Sequence, residues 1–148
     1  MMNKNFPFTT DTATLSVFDL ASLKHRISDD ADWWSIPEDE IDEINKGNII
    51  FLNVGSDGDY TVDINNGEGW AGHSLFLNVP SGDVFIGAGE DTSGGDLEPD
   101  GSEYMSGIIF KLSRGHYEVK FKRDGSNIML SFVASVDKTN SISDLVRI

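Results

Sequence analysis

Ser113-Arg-Gly-His-Tyr-Glu-Val-Lys-Phe-Lys-Arg-Asp-Gly-Ser-Asn-Ile-Met-Leu-Ser-Phe-Val-Ala134 decides the fold class. Tyr117, Val119 and Phe121 point one way while Glu118, Lys120 and Lys122 point the other, the period-2 pattern of a sheet with one wet face. Asp124-Gly125 is a turn signal, and Asn127 to Ala134 reads as the next strand. Ser113-Arg-Gly115 is a turn on the other side, with a strand from Gly107 to Leu112 before it.

The same grammar continues outward. Ser74 to Val79 and Val84 to Ala88 are strands separated by Pro80-Ser-Gly82, and Leu145 to Ile148 is a short last strand. Asn48 leads into a continuous apolar run to Val54, Gly55-Ser-Asp-Gly58 breaks it, and Tyr60-Thr-Val-Asp-Ile64 alternates again. We expect a hairpin of 49–54 with 60–64, its register fixed by Tyr60, Val62 and Ile64 facing the core. Ala13, Leu15 and Val17 share one side of a half-buried strand ending at Asp19. A single helix is expected over residues 37–46. Ser35-Ile-Pro-Glu38 supplies its capping box with Pro in the first turn, Ile41 and Ile44 share a face, Lys46 suits the C-terminal end, and Gly47 stops it. About eight or nine short strands and one short helix predict a mainly β fold, an antiparallel β-sandwich or flattened barrel. We find no internal repeat, and 148 residues allow one domain, 1–148. Such a chain buries roughly 70% of its unfolded surface, enough for a core without metals or crosslinks.

Charge narrows the function. Lys and Arg number 11 against 25 Asp and Glu, a net −14, with no Cys. Residues 29–103 hold 19 of the acids and one base, Lys46. That excess repels phosphate backbones and anionic lipid, so neither nucleic acid nor membrane is expected as a partner, and a basic protein is. The first ten residues have no signal-peptide core and no run approaches a membrane span, so the expectation is cytoplasmic.

Chemistry is sparse. His25, His73 and His116 stand in three separate segments with no nucleophile pattern beside them, so no catalytic residue is nominated. Gly67-Glu-Gly-Trp-Ala-Gly72 has dinucleotide-loop spacing, but a strand rather than a helix follows and Glu68 would repel phosphate. Asp57, Asp59 and Asp63, or the acids of the 89–107 segment, offer oxygens to calcium without the spacing of an EF-hand, so neither metal nor cofactor is expected. Trp33 and Trp34 are neighbours in an extended segment, which puts one of them outward beside Asp29, Asp30 and Asp32, an anchor within a ring of charge.

Leu15-Ser-Val-Phe-Asp19, Asp32-Trp-Trp34, a helix running into Gly47, and Ile109-Phe-Lys-Leu-Ser-Arg-Gly-His-Tyr-Glu-Val119 together resemble the small bacterial immunity proteins and the competence protein J type of nuclease inhibitor. The resemblance implies a compact β-rich protein that binds a toxin or nuclease stoichiometrically and performs no chemistry. On this reading Asp29, Asp30, Asp32, Glu38, Asp39, Glu40, Asp42 and Glu43 supply charge towards a cognate toxin with a basic face, and Trp33 or Trp34 is the anchor. The 89–107 segment, with Glu90, Asp91, Asp96, Glu98 and Asp100, is a second contact. The alternative is a carbohydrate- or calcium-binding β-sandwich module with Trp70 or Trp34 as a stacking platform.

Overall fold

A computed structural model describes residues 4–10, 13–19, 21, 37–65, 73–88, 107–137, 139–143 and 146–148. The order is β1 (Lys4–Thr10), β2 (Thr14–Asp19), α1 (Pro37–Asn45), β3 (Ile50–Asn53), β4 (Gly58–Ile64), β5 (His73–Val79), β6 (Asp83–Ala88), β7 (Gly107–Lys111), β8 (Gly115–Asp124), β9 (Asn127–Ser135) and β10 (Val146–Arg147). The strands form two five-stranded sheets, sheet 1 in the order β1-β4-β9-β8-β5 and sheet 2 in the order β10-β3-β2-β6-β7. The fold is a sandwich, not a closed barrel. Most pairs are antiparallel, but β4 runs parallel to β9 and β10 parallel to β3, so both sheets are mixed.

β8 and β9, either side of the Asp124-Gly125 turn signal, pair antiparallel from His116 opposite Ser135 to Asp124 opposite Asn127. Their inward rows, Tyr117, Val119 and Phe121 with Ile128, Leu130 and Phe132, are buried. Across the sandwich Phe110 stacks on Phe132 with ring centroids 6.0 Å apart, which fixes the inward face of sheet 2 as the one carrying Phe110, Val84, Ile86, Leu15 and Val17. Each fully buried side chain of this size contributes about 1.5–3 kcal/mol.

Three expectations change. The 49–54 and 60–64 segments do not form a hairpin: β3 pairs with β2 and β10 in sheet 2, while β4 pairs with β1 and β9 in sheet 1. Gly55 to Gly58 is therefore a crossing between sheets, although Tyr60, Val62 and Ile64 do face the core. β2 is buried along its whole length, not half-buried, because it is the middle strand of sheet 2; on its outward face Phe18 packs on Phe85 at 5.6 Å. The sequence signalled no strand before Thr10, yet β1 edges sheet 1, with Phe6 and Phe8 in the core and Pro7 exposed opposite Thr61. Proline is tolerated on an edge strand, where a missing N–H breaks no ladder bond and discourages a further strand from pairing.

The helix ends as its sequence specifies. Gly47 (φ 79°) takes the left-handed position, its N–H bonding the Ile44 carbonyl (3.0 Å) and Asn48 N–H the Glu43 carbonyl (3.1 Å), a Schellman cap. The capping Ser35 lies outside the described residues. Ile44 is fully buried. Two asparagines then tie the C-terminal segment to this corner. Asn140 donates through Nδ2 to the Phe76 (2.9 Å) and Ile44 (2.7 Å) carbonyls and accepts from Phe76 N–H (2.8 Å), while Asn45 exchanges two bonds with the backbone of Ile142. The amide of Asn140 thus stands where a neighbouring strand would pair with the edge of β5.

One signature recurs unseen at the level of whole segments. Ser56-Asp-Gly-Asp-Tyr60 and Ser113-Arg-Gly-His-Tyr117 both carry the chain from sheet 2 to sheet 1. In each the tyrosine hydroxyl donates to the carbonyl four residues back, Tyr60 to Ser56 (2.7 Å) and Tyr117 to Ser113 (2.6 Å), the geometry of a tyrosine corner. The glycines between, Gly58 and Gly115, have φ of 144° and 155°.

Candidate functional site

Of the residues expected to meet a partner, only those of α1 are among the described residues. Asp29, Asp30, Asp32, Trp33, Trp34, Glu90, Asp91, Asp96, Glu98 and Asp100 lie outside the described residues, as does Trp70. Asp39 and Glu40 are on α1, where Glu38 and Asp42 are exposed. Asp42 forms an ion pair with Lys46 one turn on (2.9 Å), so its charge is compensated within the helix. Glu43 is a correction: it is fully buried, and its Oε1 accepts from Asn48 Nδ2 (2.8 Å), so it serves the helix end and not a partner. A 3.6-residue period turns Glu43 inward beside Ile44 while Asp42 stays in water.

The outward face of sheet 1 carries carboxylates of another kind. Asp59 and Asp63 alternate outward on β4, and Glu118 does so on β8. Each is held by an uncharged donor on the neighbouring edge strand. Thr9 Oγ1 donates to Asp59 (2.6 Å) and Asn5 Nδ2 to Asp63 from β1, and Ser74 Oγ donates to Glu118 (2.7 Å) from β5. Lys46 pairs with Asp42 and Lys111 with Asp83, and His116 Nδ1 lies 3.7 Å from an Asp137 carboxylate oxygen; none of these contacts involves the three. A neutral donor fixes a carboxylate's orientation without cancelling its charge, but the same outward face also carries Lys120 and Lys122, which alternate with Glu118 on β8, so its charge is mixed in sign.

Two features lie between them on β9, the middle strand of this sheet. Ser131, opposite Lys120, is fully buried and its hydroxyl has no hydrogen-bond partner. Two residues on, Val133 opposite Glu118 is 38% exposed; it and Val136 are the exposed large hydrophobic residues of the described chain. At the adjoining corner His116 Nδ1 lies 2.6 Å from Asn78 Oδ1, and Asn78 Nδ2 donates to the Lys46 carbonyl (3.2 Å), which joins this face to the end of α1. No group of three His, Asp or Glu among the described residues is placed to hold a metal, Asp57, Asp59 and Asp63 included. No described helix is long and apolar enough to cross a membrane.

The sequence named Asp59 and Asp63 only as calcium candidates and Glu118 only as part of a wet face. Their donors Asn5 and Thr9 belong to the strand that carried no signal. Ser131 and Val133 were unmarked, and the readable hint was Val133 on the polar side of β9, in line with Met129 and Ser131.

A family model described as "Family of unknown function (DUF6386)" matches residues 2–148. No curated protein matches the chain by sequence. Two solved structures share the fold. One, described as "Crocagin biosynthetic gene J", superposes with a TM-score of 0.56 at 12% identity, covering 91% of this chain and 99% of its own. The other, ComJ from Bacillus subtilis, described as an inhibitor of the DNA degrading activity of NucA, superposes with a TM-score of 0.53 at 14% identity, covering 91% of this chain and 100% of its own.

Proposed function

We propose that this chain, which belongs to the family of unknown function DUF6386, is an inhibitor that binds and neutralises a toxin with a basic face, a nuclease first among the candidates. The observation that carries the reading is the end-to-end likeness of its sandwich to ComJ, an inhibitor of a DNA-degrading activity. The chain's net charge of −14 supports it. A nuclease groove must be positive to hold a phosphate backbone, and an acidic protein seated on it competes with that backbone. Steering between opposite charges raises association rates about 10- to 1,000-fold at low salt, while buried contacts set the off-rate. On this reading the chain performs no chemistry and works where the toxin is made, in the cytoplasm.

The test is a DNA-cleavage assay with a nuclease encoded beside its gene, and with NucA in parallel, titrated with the chain at low and high salt. Stoichiometric loss of cleavage that weakens as salt rises is the expected result. Undiminished cleavage by both nucleases under excess chain would overturn the reading.

A further inference from the structure

We propose that the partner docks on the open edge of β7, adding an extended strand of its own to sheet 2 through the main-chain groups of Ile109 and Lys111. This site rests on the inhibitor reading and deepens it.

A sheet edge carries a row of unpaired N–H and C=O groups, and folded chains cover or interrupt such rows. Four strands end the two sheets, and three of these ends are protected. Pro7 stands in the middle of β1 and has no N–H to offer. On β5, Asn140 occupies both main-chain groups of Phe76, and the Gly47 carbonyl accepts from Asn78 N–H (2.8 Å). The edge of β3 is taken by β10, which is itself only two residues long. At the fourth end β7 runs for five residues, Gly-Ile-Ile-Phe-Lys, with neither a further strand nor a side-chain cap beyond it among the described residues.

Register identifies the open groups. Leu112 N–H bonds the Gly82 carbonyl (2.9 Å), Lys111 stands opposite Asp83, Phe110 opposite Val84, Ile109 opposite Phe85 and Ile108 opposite Ile86. Hydrogen-bonded pairs alternate along an antiparallel ladder, so Ile108 and Phe110 give their main-chain groups to β6, while Ile109 and Lys111 turn theirs away from it. The side chains agree. Phe18, Phe85 and Ile109 form one row across the outward face of sheet 2; the two phenylalanines are buried, and Ile109 at the open end is half-buried. An apolar residue on an added strand would extend that row. Lys111, the one charge on β7, is already paired with Asp83.

The occupant is an extended segment of a basic protein. Six acids and no base fall between residues 90 and 103, directly before β7 in the sequence. Charge of that sign favours lysine and arginine around the apolar residue, whereas a second copy of the chain would bring like charge to the same edge.

The closing experiment is hydrogen exchange on the free chain and on its complex with the nuclease that the cleavage assay identifies, joined to calorimetric affinity. In the free chain the Ile109 and Lys111 amides should exchange at least about tenfold faster than those of Ile108 and Phe110, and in the complex all four should be protected. Lys111→Pro deletes an outward N–H without touching a bond to β6 and should weaken binding about 10-fold. Lys111→Ala loses the same ion pair and should change affinity less than about 3-fold. Should the proline variant fail to fold, the exchange pattern, which needs no variant, still decides. Protection of Ile109 and Lys111 in the free chain would overturn the proposal whatever the nuclease does, and protection that grows with chain concentration would assign the edge to a second copy. If the chain inhibits the nuclease while those two amides stay fast in the complex, the edge is wrong and the inhibitor reading stands. If it inhibits neither nuclease, the inhibitor reading falls and takes the docking site with it, even with the edge open.

Discussion

Asp19 shows how one residue can hold a joint. It is fully buried at the end of β2, and its carboxylate accepts from Ala21 N–H (2.8 Å), Ser81 N–H (2.9 Å), Ser81 Oγ (2.7 Å) and Gly82 N–H (2.9 Å). These bonds fasten the β5–β6 turn, where the chain passes from sheet 1 to sheet 2, onto the middle strand of sheet 2. Asp19→Ala would leave these donors unpaired in the interior, and we expect a loss of about 3 kcal/mol in urea unfolding, with an unchanged m-value. The sequence offered Asp19 only as the end of an alternating strand. Its role was invisible because, Ala21 apart, its donors Ser81 and Gly82 lie more than sixty residues away in the chain.

At the scale of elements, the two Ser-x-Gly-x-Tyr corners do the same task at separate crossings. Tyr60→Phe and Tyr117→Phe should each cost about 1 kcal/mol by thermal melting. The double variant should cost the sum, since neither tyrosine bonds to the other's corner. The Asn140 clip is a second element-level device. Asn140→Ala removes the partner of both Phe76 backbone groups, and hydrogen exchange at the Phe76 amide should accelerate at least tenfold while the β8–β9 amides stay protected. Strand positions were legible wherever apolar and polar residues alternated, as from Tyr117 to Phe121, and the Gly47 helix stop was legible from its type alone. Pairing was not. Gly55 to Gly58 contains the residues of a hairpin turn, but Gly58 belongs to a corner that sends Tyr60 into the other sheet, and only the partner strands β1 and β9 determine that.

For the whole molecule the governing quantity is the net charge. A compact chain with an excess of 14 negative charges repels itself, and added salt screens that repulsion. We therefore expect the melting temperature at pH 7 to rise as sodium chloride is raised from about 10 mM to 150 mM, the range over which the Debye length shrinks from about 30 to 8 Å. Partner binding should move the opposite way over the same range. Opposed salt responses of stability and affinity would separate charge that merely solvates the chain from charge that docks.

By itself the sequence determined what depends on neighbours in the chain: the β-rich class, the inward rows of β4 and β8, the extent of α1, and the acidity on which the expectation of a basic partner rests. Periodicity and local turn chemistry act over a few residues, and there the residues suffice. Tertiary structure alone decided what depends on distant residues meeting. It sent β3 and β4 to opposite sheets, buried Glu43 while leaving Asp42 in water, and set Asn5, Thr9 and Ser74 beside three carboxylates without cancelling their charge. Which side chain faces which is fixed by strand register and sheet order, and both are settled by packing across the whole core.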